Sequence, residues 1–367
     1  MKVGLLTLPP SNNYGGILQT IALYSHLESL GHEVVLINNR GKVSIWKMLV
    51  IKVLEITPFQ NIQNKRESKQ KILQLAPFIK KHLSDVSQKI YHHKHLKQLV
   101  EKNKFDAIVV GSDQVWRYQY IKRRDYSVYF LNFKVNFPVK KIAYAASFGK
   151  DSWEAPDKIL EVKTLMKEFN NISVREESGI DLCRDLFDFK NVRHVLDPTM
   201  LVGDKFYEKL IIGDIYSATT APIVTYILDE NDSKTKIVNS IAKNKSTTNK
   251  SPQVINLSKK HNGKFYSVED WLGNIKNANF VITDSFHGML FSILFKKQFL
   301  VIGNLQRGVE RFTSFLSVIG LENRLYLSEK SFDLEDVVNS VIDYEDITLE
   351  IEKLRATSKK FLLDALE

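Results

Sequence analysis

Short apolar runs rich in β-branched residues alternate along the chain with longer segments of helical periodicity. Strands are predicted at Val3–Leu8, His32–Ile37, Phe105–Gly111 and Lys141–Ser147, then from Asn171 up to Arg175, and at Val192–Leu196. Ile17–Leu30 between the first two carries a helical repeat that stops at Gly31. A basic helical region is predicted to run from an apolar patch at Trp46–Ile56 as far as Lys104. Near residue 200 the rhythm restarts, with strands at Pro222–Leu228, Gln253–Leu257, Phe280–Thr283 and Phe299–Ile302. Helices are predicted at Ser233–Lys243, Val268–Ala278 and Met289–Phe295, and closing helices at Phe332–Tyr344 and Leu349–Leu366. Asn244–Pro252 is the most loop-like stretch. Two successive β/α series predict an α/β protein of two Rossmann-like domains facing across a cleft. The expected limits are 1–200, with a basic helical insertion at about 40–104, then 201–345, and a C-terminal helix over 346–367.

Composition narrows this only slightly. At 367 residues, 44% of them hydrophobic and 26% charged, the chain is long enough for two soluble domains. Its single cysteine, Cys183, forms no internal disulfide and suits a small core position, and no Cys/His pattern has zinc spacing, so no metal is expected. No apolar run approaches the roughly 20 residues that span a bilayer, and the amino terminus is too short in apolar residues for a signal peptide. A cytoplasmic setting is therefore expected. The net charge of +10 changes the picture more, because it is concentrated. Arg40 to Lys104 holds 15 Lys and Arg against 4 Asp and Glu, whereas the remainder holds 37 against 38. That segment favours anionic partners such as nucleic acid, acidic headgroups or phosphorylated substrates. It reads either as a membrane-surface element or as a helical hairpin covering a sheet edge with a solvated face. His92, His93 and His95 lie among its lysines with no carboxylate or cysteine partner in sequence.

Candidate chemistry gathers at predicted strand ends, where open α/β sheets bind ligands. Asp284-Ser285-Phe286-His287-Gly288 places a carboxylate, a hydroxyl and an imidazole between a buried strand and an apolar helix. Gly288 is expected to let the backbone approach a ligand; alternatively Asp284 or Ser285 caps the helix. In the loop after the first strand, Asn13-Tyr14-Gly15-Gly16 either presents amides to an anion or makes a tight turn. It lacks the dinucleotide G-x-G-x-x-G spacing. At the end of the third strand, Asp113 acts as a base, holds a sugar hydroxyl or caps a helix, while Trp116 stacks on a sugar or packs in the core. Arg175 suits either a bidentate grip on a phosphate or carboxylate, or a salt bridge to Glu176 or another neighbour. Pro198, after Asp197, is expected to delay the next helix. Arg307 and Arg311 follow the last predicted strand.

Five motifs in this order carry a resemblance: Asn13-Tyr-Gly-Gly-Ile-Leu-Gln19, Gly111-Ser-Asp-Gln-Val-Trp116, Ser173-Val-Arg-Glu176, Leu196-Asp-Pro-Thr199 and Asp284-Ser-Phe-His-Gly288. Together they closely resemble the polysaccharide pyruvyl transferase family, from about residue 3 to about residue 325. The resemblance implies a GT-B-like fold and transfer of the pyruvyl group of phosphoenolpyruvate onto two sugar hydroxyls as a cyclic ketal, with release of phosphate. It implies no cofactor beyond phosphoenolpyruvate as donor substrate. The family's donor-site histidine falls on His287 and its strand-end arginine on Arg175. Where some members carry a further arginine, this chain has Ser285; either Arg307 or Arg311 substitutes, or the donor is held differently. On this reading His287 is the principal acid/base group, aided by Asp113 or Asp284. Arg175, Ser285, Gly288, Arg311 and Arg307 hold the donor in the second domain's neighbourhood. Asn13, Tyr14, Gly15, Gly16, Gln19 and Trp116 hold the acceptor, on the side of the first domain. The expected acceptor is a sugar in a bacterial surface-glycan precursor, carried on a lipid diphosphate at the inner face of the plasma membrane, where the basic segment docks on acidic lipid. The rival within the same fold is a glycosyltransferase using a nucleotide sugar. A nucleic-acid partner is not expected, since the basic segment has few aromatics and no recognised reading motif.

Overall fold

The computed structural model describes residues 1–41, 60–211, 222–245, 253–304, 308–328 and 333–367. The apolar patch at Trp46–Ile56 lies outside the described residues, as do Arg307 and most of the loop-like stretch before Pro252. The chain divides into two compact units, Met1–Pro198 with Ser358–Glu367, and Thr199–Thr357.

In the first unit, β1 (Lys2–Leu6), β2 (Glu33–Leu36), β3 (Ala107–Val110), β4 (Lys140–Ala146), β5 (Asn171–Val174) and β6 (Val192–His194) form one sheet in the order β2-β1-β3-β4-β5-β6. Every pairing is parallel. β1, β3 and β5 are buried along nearly all their length, as near-continuous apolar runs require when helices cover both faces. Helix α1 (Tyr14–Ser29) buries residues on almost every side and ends just before Gly31, which takes the left-handed conformation. The strand order reverses between β1 and β3, so the sheet's switch point opens beyond Leu6 and Val110.

Among the described residues the basic region holds two helices, α2 (Gln60–His82) and α3 (His93–Asn103), at a sheet edge, as the helical-hairpin alternative expects. Between them an extended segment runs alongside β2, bridging Val86 to Leu36 and Ile90 to Asn39 in parallel. Unpaired backbone groups on the outer edge of β2 explain the break. Leu36 N–H donates to the Asp85 carbonyl (2.9 Å), Ser87 N–H to that of Leu36 (2.9 Å) and Ile90 N–H to that of Asn38 (3.0 Å). Pro198 also departs from expectation. It is the first residue of a short helix, Pro198–Leu201, where its fixed φ and missing N–H cost nothing.

His26 on α1 is buried, and burial, reinforced by Lys359, lowers its pKa from 6.5 to about 4. The unfolded chain therefore takes up this proton near pH 6.5, and the folded chain only near 4. Stability is fully present above the first value and falls as pH drops towards the second, by roughly 3 kcal/mol at the acid limit. Urea midpoints followed across that range should show this step, and His26→Gln should remove it.

The second unit holds β7 (Ile223–Tyr226), β8 (Val254–Asn256), β9 (Phe280–Thr283), β10 (Gln298–Ile302) and β11 (Leu325–Tyr326). They are all parallel, in the order β11-β10-β9-β7-β8. Its helices include α4 (Asp232–Asn244), α5 (Val268–Lys276), α6 (Phe286–Leu294) and α7 (Glu310–Val318). Helix α8 (Glu345–Leu366) begins in this unit, and its residues from Ser358 onward pack in the first. The order reverses between β7 and β9, which puts the Asp284 turn at this sheet's switch point. Both units are thus α/β with parallel sheets, the class the alternating pattern predicts. Among the described residues no helix is long and apolar enough to cross a membrane.

Candidate active site

At the end of β9 a chain of hydrogen bonds fixes the turn. Thr283 Oγ1 donates to the Tyr226 carbonyl (2.7 Å) and accepts from Ser285 N–H (3.0 Å). Ser285 has extended backbone and caps α6, its Oγ accepting from Gly288 N–H at 3.4 Å. Helix α6 therefore starts at Phe286, three residues earlier than the predicted Met289. His287 sits in its first turn, near the positive end of the helix dipole.

Asp284 is buried and fully engaged. Its Oδ1 accepts from Leu228 N–H (2.7 Å), and its Oδ2 accepts from Asp229 N–H (3.1 Å) and from Lys234 Nζ (2.6 Å). Lys234 Nζ also donates to the Asp229 carbonyl at 2.9 Å, so one ion pair ties β9, the exit of β7 and α4 together. Lys234 carried no sequence signal, since it falls among other polar residues of α4.

His287 is 5% exposed, with its ring against Phe286 at 5.8 Å between centroids. Arg311, also buried, places its guanidinium 5.4 Å from the Phe286 ring and 5.8 Å from that of Phe312. Phe286 thus links imidazole and guanidinium at one helix terminus. Gly288 also has a packing reason. A Cβ there would stand 2.3 Å from Thr283 Oγ1 and 3.1 Å from its Cβ, so the glycine allows α6 to pack on its own strand. Gly288→Ala should cost about 1–3 kcal/mol through this clash, read as a lower denaturation midpoint of the full chain.

In the first unit, three of the motifs converge on one buried arginine. Arg175 donates from one terminal nitrogen to Asp197 Oδ2 (2.7 Å) and from the other to Asp113 Oδ1 (3.4 Å), and its Nε lies 4.0 Å from Glu176 Oε2. Burial opposes the arginine's charge, but Asp197, Asp113 and Glu176 outweigh it and raise its pKa. Ser112 Oγ donates to the same Asp197 oxygen (3.3 Å), while Ser147 Oγ (2.8 Å) and Gly149 N–H (2.9 Å) donate to Glu176 Oε1. The salt-bridge alternative for Arg175 is the one realised: Glu176 lies beside it as that alternative expects, while Asp197 is a partner that its motif contained without revealing its task. Asp113 differs from the other two carboxylates. Its side chain is 16% exposed, its φ is +68°, and the helix that follows is capped at Arg117 rather than by Asp113.

The Asn13 motif forms the start of α1. Asn13 Oδ1 accepts from Gly16 N–H (3.2 Å), placing Gly15 and Gly16 in the first helical turn. Gln19 is wholly buried and donates to Thr7 Oγ1 (3.2 Å), the Gly16 carbonyl (3.1 Å) and Thr20 Oγ1 (2.8 Å). Thr7 Oγ1 in turn donates to the Ser112 carbonyl (3.1 Å), which joins the ends of β1 and β3. Tyr14 is buried, and Lys71 of α2 lies over its ring at 4.1 Å. Burial brings that lysine down to about 8. Trp116 is a core residue and presents no face to a sugar. It is fully buried, stacked on Phe130 at 5.5 Å, with Nε1 donating to the Tyr129 carbonyl (3.0 Å). Among the described residues no group of His, Cys, Asp and Glu is arranged to hold a metal ion.

Solved structures with this fold are distant in sequence. A UDP-GlcNAc 2-epimerase from Neisseria meningitidis bound to UDP-GlcNAc superposes with a TM-score of 0.52 at 12% identity, over 100% of this chain and 99% of that one. A UDP-N-acetylglucosamine 2-epimerase from Rickettsia bellii gives 0.51 at 13%, over 100% and 97%. UGT89C1 of Arabidopsis thaliana complexed with UDP-L-rhamnose gives 0.50 at 11%, over 100% and 98%. These likenesses establish a GT-B-like fold and nothing of the chemistry. No curated protein matches the chain in sequence. The polysaccharide pyruvyl transferase family model, by contrast, matches residues 13–306, a span that opens at the cap of α1 and takes in the Arg175 network and the His287 turn. With its motifs gathered at strand ends of both sheets as well, the chain belongs to the polysaccharide pyruvyl transferase family.

Proposed function

We propose that this pyruvyl transferase takes phosphoenolpyruvate as donor and builds a cyclic ketal on two hydroxyls of a sugar in a bacterial surface-glycan precursor. The observation that carries the reading is the pairing of His287 and Arg311 through Phe286 at the amino terminus of α6. A donor bearing a carboxylate and a phosphate is matched by a guanidinium, an imidazole and a helix dipole at a strand end. Ser285 supports this indirectly, because it holds the helix terminus in place.

Protonation of the donor's methylene carbon by His287 makes the adjacent carbon electrophilic. One sugar hydroxyl adds there and loses its proton; phosphate then leaves with the electrons of its C–O bond. The second hydroxyl closes the ketal and gives up its own proton. One proton is thus gained by carbon and two leave the hydroxyls, the balance ending on phosphate. Asp113 suits the role of base towards an acceptor hydroxyl, being the exposed member of its network with one oxygen oriented by Arg175. Asp284 acts instead by fixing the turn that carries His287. The amino terminus of α1 with Asn13, Gly15 and Gly16 is assigned to the acceptor. No step in this scheme calls for a cofactor. The acceptor is proposed to be lipid-diphosphate-linked, with the enzyme working at the inner membrane face.

Incubation with phosphoenolpyruvate and a lipid-linked sugar panel, followed by mass spectrometry and phosphate release, tests the proposal. Ketal product with stoichiometric phosphate is expected. Product only from a nucleotide sugar would replace it with glycosyl transfer.

A further inference from the structure

A second concentration of cations lies in the first unit, among residues outside all five motifs. The amino terminus of α3 and the turn after Ile121 border an open basin of about 460 Å³, lined by Tyr91 and by His92, His93, Lys94, Arg123, Arg124 and Asp125. Asp125 is the only carboxylate in that lining, and both its oxygens are engaged. Oδ2 accepts from His93 N–H (2.9 Å) and faces His93 Nδ1 (2.7 Å), while Oδ1 accepts from Ser127 Oγ (2.7 Å) and Ser127 N–H (3.2 Å). Arg124 is held in place by donating to the neutral Asn39 carbonyl at 2.7 Å, and it forms no ion pair among the described residues. Lys94 and Arg123 are exposed and form no ion pair among the described residues. Three permanent cations therefore line a space with one carboxylate that is already committed, and the amino terminus of an 11-residue helix, whose first N–H is taken by that carboxylate, borders it.

We propose that this basin binds a phosphate or diphosphate group. Guanidinium forks match phosphate oxygens in pairs, and the surplus of positive charge selects a multiply charged anion over a single carboxylate. Of the cations involved, Lys94 comes from the basic 40–104 segment, while Arg123 and Arg124 come from the turn that faces it. The inference stands whether or not pyruvyl transfer is the reaction, since it uses none of the residues assigned there. Two sources could present this chemistry, a diphosphate headgroup on an isoprenoid lipid and a soluble diphosphate.

Calorimetry of the full chain with inorganic pyrophosphate tests the site, with a variant carrying Arg123→Gln and Lys94→Gln. A control carries Lys190→Gln and Lys236→Gln, exposed lysines elsewhere that remove the same charge. Saturable one-to-one binding is expected, weakened about ten-fold or more in the basin variant and less than about two-fold in the control. Flotation with uncharged vesicles, with and without an isoprenyl diphosphate, separates the sources. Capture that needs both that lipid and the two basin cations assigns the site to a lipid headgroup. Pyrophosphate binding without such capture assigns it to a soluble ligand. Absence of saturable binding, or equal loss in both variants, overturns the proposal, the second result reducing it to a diffuse charge effect.

Discussion

His287→Gln is expected to lower turnover of phosphoenolpyruvate about 10²- to 10⁴-fold, the range for removing a positioned acid/base group. Glutamine keeps most of the ring's volume, and neighbouring Phe286 and the Ser285 cap do not depend on the imidazole, so the fold should survive. The loss should fall on kcat, because the group acts on a proton that moves only during reaction. Arg311→Gln is expected to behave differently, raising the KM for phosphoenolpyruvate more than it lowers kcat. Near-normal turnover in the His287 variant, with the protein folded, would remove the imidazole from the mechanism and leave the α6 terminus as an anion site alone.

Arg175→Met is expected to lower the stability of the full chain by about 3–5 kcal/mol, since it leaves buried carboxylates without their cation. The partners are Asp197, whose side chain is 1% exposed, and Glu176, at 0%, with Asp113 nearer the surface. Arg175→Lys should recover part of the loss by restoring charge without the two-pronged geometry. Denaturant midpoints measure both. A methionine variant of unchanged stability whose only defect was weak donor binding would make this guanidinium a substrate ligand and contradict the network described here.

The fold was largely readable because buried parallel strands leave an unmistakable trace: Phe280-Val-Ile-Thr283 has only one way to be satisfied on both faces. Helix limits were harder. Phe286, His287 and Gly288 read as a turn, yet they form the first turn of α6, because Ser285 and not Asp284 provides the cap. α7, which carries Arg311, has no counterpart among the predicted helices. The site was legible as a set of motifs and illegible as a set of roles. Asp197 and Asp113 lie 22 and 62 residues from Arg175, and nothing in local sequence says that a strand-end arginine will face them rather than a ligand. Trp116 failed for a related reason: an indole at a strand end looks the same whether Phe130 or a sugar lies against it. The break between α2 and α3 is likewise set by a distant partner, the edge of β2, against the local preference for helix.

The last stretch of α8 has a consequence for biosynthesis. Ser358 Oγ accepts from Leu196 N–H at 2.9 Å, Phe361 packs near Tyr144 at 6.4 Å between ring centroids, and the Leu366 carbonyl accepts from Lys140 Nζ at 3.1 Å. The first unit thus borrows its final layer from residues translated after the whole of the second. On the ribosome, the nascent amino-terminal half must wait, with β4 and the exit of β6 uncovered, until residues 358–367 emerge from the tunnel. Chains stalled before that point should remain sensitive to protease and dependent on chaperones, while the second unit has no such delay.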